Sequence, residues 1–169
     1  MGALKKLSNT KSLGKPAKAF NFDQTMVFVL KWEGGLSNKK SDRGGLTKYG
    51  ISQKAYPKLD IKNLTMEKAL DIYKSDYWVP SGANEQPWPV CLAVMDSAVN
   101  CGAGTAKKWL LSGMAQNKTG MDLVMEIVFK RRQKYAQIVA RMPSQQANLK
   151  GWNNRCDDLI LFALKPFKA

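Results

Sequence analysis

The chain reads as a mostly α protein with one small β insertion, and three observations point there. Apolar residues recur at helical spacing in successive stretches separated by glycine or proline. The segment from Leu36 to Ile51 is instead polar and glycine-rich, which suits an irregular hairpin or small sheet. Of 169 residues, 44% are hydrophobic and 24% charged, a balance that supports a packed core rather than a disordered chain.

Residues 1–21 hold five lysines, no acidic residue and the breakers Gly14 and Pro16, so they are expected to form a basic, flexible tail. Residues 22–169 are expected to make one domain. Asp23 is a good N-cap for "DQTMVFVLKWE", a helix apolar enough to be largely buried, and Gly34-Gly35 stops it with Glu33 on the last turn. After the hairpin, Thr65 caps "MEKALDIYKSDYW", which Pro80 and Ser81-Gly82 end. Pro87 to Asn100 is apolar enough for a central core helix, closed by Gly102, and a shorter helix spans about Thr105 to Ser112. The longest helix starts near Met121. It carries Val124, Ile127, Val128, Tyr135, Ile138 and Met142 at helical spacing as far as Pro143. Ser144 can then cap a final helix that contains "GWNNRCDDLILFAL".

Composition excludes several classes of chemistry. The chain has no histidine, which rules out Ser-His and Cys-His nucleophile pairs and histidine-based zinc sites. Cys91, Cys101 and Cys156 are odd in number and widely spaced, so buried free thiols are expected rather than a disulfide framework or a metal site. Neither a metal nor another cofactor is implied. A net charge of +14, from 27 basic and 13 acidic residues, predicts attraction to polyanions. No nucleic-acid-binding motif accompanies that charge. There is no apolar run long enough to cross a membrane and no secretory h-region, so cytoplasmic synthesis without stable membrane insertion is expected.

The stretch "WEGGLSNKKSDRGGLTKYGIS" carries the chemistry. Cleavage of a glycosidic bond needs a proton donor and usually a second carboxylate that activates water or attacks the anomeric carbon. Glu33 follows Val29, Leu30 and Trp32, which predict dry surroundings that disfavour a charged carboxylate. Asp42 lies in a polar, glycine-flanked segment suited to an ionised partner, and Thr47 adds a hydroxyl that can hold a water beside it. The Gly44-Gly45 pair allows a tight turn between them.

The order Glu33, eight residues, Asp42, four residues, Thr47 resembles the Glu-Asp-Thr signature of phage-type lysozymes, with the step from Asp to Thr one residue shorter than is usual there. The fuller text is similar to the signature E-G-G…D-x-G-G-x-T-x-x-G-I of glycoside hydrolase family 108, whose members are peptidoglycan-cleaving muramidases, many of them phage endolysins. "DSAVNCGAGTAKKWL" from Asp96 and "GWNNR" from Gly151 resemble the predicted peptidoglycan-binding region of that family, which implies a helical binding region from about residue 90. The likeness extends from Phe22 to Leu161. It implies a lysozyme-like α+β fold and hydrolysis of the β-1,4 bond between N-acetylmuramic acid and N-acetylglucosamine. In it Glu33 is the general acid, Asp42 the water-activating or cation-stabilising carboxylate, and Thr47 a partner in placing water.

Bacterial peptidoglycan is the implied partner, the protein is expected to act as a monomer, and a membrane lesion must let it reach the wall. The basic tail is then either a solubilising leader or a wall-binding arm. Tyr49, Tyr77 and Trp78 are candidate glycan contacts, with packing as the alternative for the last two. Asp96 and Asn100, four apart on an apolar helix, are further candidates facing a cleft, Asp96 also fitting a structural hydrogen-bonding role. Arg131 is either a solvated face residue or the partner of a carboxylate in the groove. Trp152 and Arg155 either anchor the last helix or form a second wall-binding surface. The rival functions are a lytic transglycosylase, which works with a lone glutamate, and a non-catalytic peptidoglycan-binding module.

Overall fold

The computed structural model describes the backbone of residues 17–33 and 46–165, and the side chains of residues 21–33 and 46–165. The helices are α1 (Ala17–Trp32), α2 (Met66–Tyr73), α3 (Val90–Cys101), α4 (Ala103–Met114), α5 (Gly120–Arg141) and α6 (Gln146–Ala163). Between α1 and α2 lie strands β1 (Thr47–Lys48) and β2 (Ile51–Ser52), which pair antiparallel. Shorter helical turns occupy Lys74–Trp78, Ala83–Glu85 and Pro143–Gln145. The mostly α, lysozyme-like architecture with a small hairpin after the first core helix is thus the one observed.

Helix α1 starts at Ala17 rather than at Asp23, so the expected tail boundary at residue 21 falls inside a helix. The reason is local: no glycine or proline occurs between Pro16 and Gly34, and a capping preference at Asp23 does not end a helix that has already begun upstream. Residues 1–16, and Gly34 to Gly45 with Asp42, lie outside the described residues. Helix α1 buries Phe22, Met26, Phe28, Val29 and Leu30. Thr65 caps α2 as expected, its hydroxyl accepting from the Lys68 amide at 3.2 Å, and a wider turn carries the helical path on to Trp78.

Helix α3 is the centre of the molecule. Every residue from Val90 to Ala98 is buried, and α3 packs against α1, α4, α5 and α6. A segment apolar on all sides can be covered only by neighbours on all sides. The helices beyond residue 90 therefore share one core with α1. Gly102, with φ of +91°, ends α3, and α4 begins at the next residue, two earlier than Thr105. Helix α5 buries Leu123, Val124, Ile127, Val128, Arg131 and Tyr135, the face its apolar spacing predicts with one arginine added. Ser144 does not cap α6; it lies in the Pro143–Gln145 turn, and Gln145 precedes the helix instead. All three cysteines are free, Cys91 and Cys156 buried and Cys101 half-buried. Burial pushes the Cys91 thiol up to about 11, which keeps it a neutral packing group.

Leu92, fully buried in α3, tests the role of this helix. Leu92→Ala is expected to lower unfolding stability by about 3 kcal/mol, the usual cost of a cavity at a site closed on all sides, read as a shifted urea midpoint with unchanged slope.

Candidate active site

Glu33 stands one residue past the end of α1, its amide still bonded to the Val29 carbonyl at 3.0 Å. Its side chain is 23% exposed. Thr47 pairs with Ser52 and Lys48 with Ile51, leaving Tyr49 and Gly50 as the two turn residues. Both have positive φ, 54° and 79°, as a two-residue type I′ hairpin requires. The tip of this hairpin lies on the acid. A Cβ added to Gly50 would overlap the Tyr73 hydroxyl oxygen and stand 2.9 Å from the Cβ of Glu33. Only a glycine fits both the backbone angle and the space. The Tyr73 hydroxyl donates to the Tyr49 carbonyl at 3.0 Å and holds the tip down. Burial, and then the neighbouring Glu33 charge, push the Tyr73 phenol well above its usual range, so it remains a neutral donor.

Behind Glu33 the charges alternate in sign. Arg155 Nη1 donates to Glu33 Oε1 at 2.7 Å, while Arg155 Nη2 and Nε reach Asp96 Oδ1 at 2.7 and 3.1 Å. Asp96 Oδ2 accepts from Arg131 Nη1 at 2.6 Å. Arg131 Nε donates to the Tyr135 hydroxyl at 2.5 Å, which in turn donates to Asn100 Oδ1 at 2.6 Å. Burial alone would push the Asp96 carboxyl up, but the guanidiniums of Arg131 and Arg155 outweigh it and hold the group below the usual carboxylate range. The end of α1 is also tied to α6, where Asp158 accepts from Trp32 Nε1 and Lys31 Nζ, each at 2.7 Å.

The hairpin tip at Tyr49-Gly50 meets Glu33 and Tyr73, Thr47 stands on the strand leading into that tip, and Tyr77 lies near through a ring contact of 5.8 Å to Tyr73. Thr47 and Tyr49 are half-buried, and the Lys48 ammonium lies 5.5 Å from the Tyr49 ring centroid. Four sequence expectations change. The surroundings of Glu33 are not dry and apolar, since a guanidinium faces the carboxylate. Trp78 is not a groove residue; it is 6% exposed and packs edge-on against Phe22 at 5.3 Å. Asp96 does not face a cleft, being fully buried with both oxygens engaged, so it serves its structural alternative. Arg131 is not a solvated face residue but the buried partner of Asp96. Asn100 is half-buried at the end of α3 and engaged by Tyr135.

Arg155 and Tyr73 are the site residues that sequence reasoning did not assign. For Arg155 a signal existed. It sits between Trp152, Cys156 and Leu159 on the apolar face of α6, where an arginine needs a carboxylate partner. Nothing in the text around Tyr73 distinguishes it from a core tyrosine. A hollow of about 520 Å³ lined by Ala55, Tyr56, Pro57, Lys58, Leu59 and Ile72 shares no residue with this site. Among the described residues no cluster of Cys, Asp or Glu is arranged to hold a metal.

Two outcomes follow from the geometry. Gly50→Ala places a side chain at positive φ against Tyr73 and Glu33, so a stability loss of about 2 kcal/mol is expected in thermal or urea melts, with hydrolytic activity falling alongside. Asp96→Asn leaves two buried guanidiniums without their carboxylate, at a cost of about 3 to 5 kcal/mol. Because the Asp96 carboxyl is depressed in the folded state, its contribution is complete above the ordinary carboxylate range and drains as pH falls through and below it. Urea melts as a function of pH should show an acid-side decline in the parent that is shallower in Asp96→Asn.

Residues 26–102 match the family model described as glycosyl hydrolase 108. No curated protein and no solved structure matches the chain. The matched span runs from within α1, through the hairpin, to the glycine after α3, and so includes Glu33, Thr47 and Asp96 but neither Arg131 nor Arg155. A helix end bearing a carboxylic acid under a glycine-turned hairpin lies inside the span that matches the glycosyl hydrolase 108 model, and this match supports a glycoside hydrolase of that family.

Proposed function

We propose that the protein is a peptidoglycan hydrolase, an N-acetylmuramidase that cleaves the β-1,4 bond between N-acetylmuramic acid and N-acetylglucosamine. What carries the reading is Glu33, a partly exposed carboxyl at the end of α1, beneath the hairpin tip at Tyr49-Gly50. In the reaction, protonated Glu33 gives its proton to the glycosidic oxygen as the bond to the anomeric carbon breaks. Water then adds to that carbon and passes a proton to Asp42, with Thr47 helping to orient the water. The products are a free hydroxyl and a reducing sugar. Tyr49 and Tyr77 offer ring faces and hydroxyls to the glycan, and Asn100 an amide at the end of α3.

A net charge of +14 suits a polymer rich in carboxylates. On this reading the protein is a bacteriophage endolysin, made in the host cytoplasm and acting as a monomer on the wall after the membrane is breached. No described helix is long and apolar enough to cross a membrane.

Digestion of purified sacculi, with mass analysis of the fragments, tests bond and reaction type together. Reducing N-acetylmuramic acid ends are expected. Fragments lighter by one water would identify a lytic transglycosylase instead. Glu33→Gln, folded by circular dichroism, is expected to lose at least 100-fold in turnover, the scale on which a general acid contributes; unchanged lysis by this variant would sink the enzymatic role of Glu33. Binding of sacculi by the parent without release of fragments would identify a wall-binding module.

A further inference from the structure

The span matched to the family ends at residue 102, yet the group that holds Glu33 comes from α6. Resting on the reading of Glu33 as the general acid, we propose that Arg155 is a positioning residue for that acid, and that Asp96 and Arg131 fix Arg155 from behind.

A guanidinium is a rigid planar fork, so docking two of its nitrogens determines where the third points. Arg155 docks Nη2 and Nε on Asp96, and Nη1 is thereby aimed at Glu33 Oε1. Asp96 cannot swing away, because Arg131 Nη1 holds its other oxygen and Tyr135 holds Arg131. The Arg155 guanidinium carbon also lies 6.0 Å from the ring centroid of Trp32, the neighbour of Glu33 in sequence. Side-chain exposure falls from 23% at Glu33 to 7% at Arg155 and 0% at Asp96 and Arg131. Glu33 is the most exposed of the four; the others form its mount.

The same contact bears on the proton. With Oε1 held by Arg155, Oε2 is the oxygen that delivers the proton to the glycosidic oxygen. The carboxylate left behind gains the nearby cation, which favours the transfer. A purely structural ion pair would make neither contribution. Exchanging buried ion pairs for apolar packing is often neutral for stability, so stability alone does not account for four buried or half-buried charges at this point.

The test compares the full chain with Arg155→Met, Arg155→Lys and Glu33→Gln on soluble peptidoglycan fragments, with melts confirming the fold. Arg155→Met removes fork and charge. Its kcat is expected to fall about 100-fold with KM within about twofold of the parent. Arg155→Lys keeps the charge but loses the fork, so kcat is expected to fall about tenfold with KM near that of the parent. Parental kcat in either folded variant, or a change confined to KM, overturns the proposal. If Arg155→Met does not fold, kcat of Arg155→Lys decides alone. Glu33→Gln separates the two layers. An inactive Glu33→Gln beside a fully active Arg155→Lys removes the role of Arg155 only, whereas a fully active Glu33→Gln removes the acid and its mount together.

Discussion

Asp96 is the point on which the site and the core both depend. It sits in the middle of α3 with no exposed surface, and its two oxygens receive guanidiniums from α5 and α6. An unpaired carboxylate there would be prohibitively costly, and each arginine alone would be too. Together with Glu33 the four charges cancel, which lets a buried helix centre carry ions at all. Burial works against ionisation of Arg131, but the Asp96 carboxylate overcomes it and raises the guanidinium above its usual range, so the pair stays charged. Such pairs add little net stability compared with apolar packing, because desolvation consumes most of the Coulomb gain. Their directional bonds do something packing cannot: they set the rotation and axial position of three helices relative to one another.

The register of those helices is visible in the contacts. Asp96 meets Arg131 and Asn100 meets Tyr135, both pairs one helical turn apart and both offset by 35 residues, so α3 and α5 run in the same sense. Helix α6 crosses this pair, stacking Trp152 on Tyr135 with ring centroids 4.9 Å apart. One turn further along α6 Arg155 points to Glu33, and about a turn beyond that Asp158 reaches Lys31 and Trp32. Helix α6 therefore grips the end of α1 at the acid and at the two residues before it. The carboxylate of the early signature is thus bonded by a residue of α6.

Much of this was legible in the text. Apolar periodicity marked α1 to α6, because helices that cover a common core must repeat apolar residues every three to four positions. Thr65 and Gly102 announced element ends through local chemistry, a hydroxyl for an orphan amide and a left-handed angle without a side-chain clash. The motif identified Glu33 and the hairpin that follows it. Errors arose where a local preference competed with continuation. Asp23 and Ser144 are good caps in isolation, but α1 was already under way at Ala17 and the turn at Pro143–Gln145 delayed α6. Trp78 stays open between groove and packing, and Asp96 between cleft and structural roles, because helical spacing shows that a residue shares a face with others, and not whether that face meets solvent or another helix.

By itself the sequence determined the chemistry available: an acid at the end of a buried helix, a polar glycine-rich segment after it suited to a hairpin, no imidazole, and an excess of positive charge. These are properties of single residues and near neighbours. The tertiary structure decided the partners: that Gly50 lies on Glu33, that Asp96 is interior, and that Arg155, 122 positions away, faces the acid. Those pairings depend on how α3, α5 and α6 rotate against α1. Side-chain interlock across several helices sets that rotation, and no single stretch of the chain encodes it.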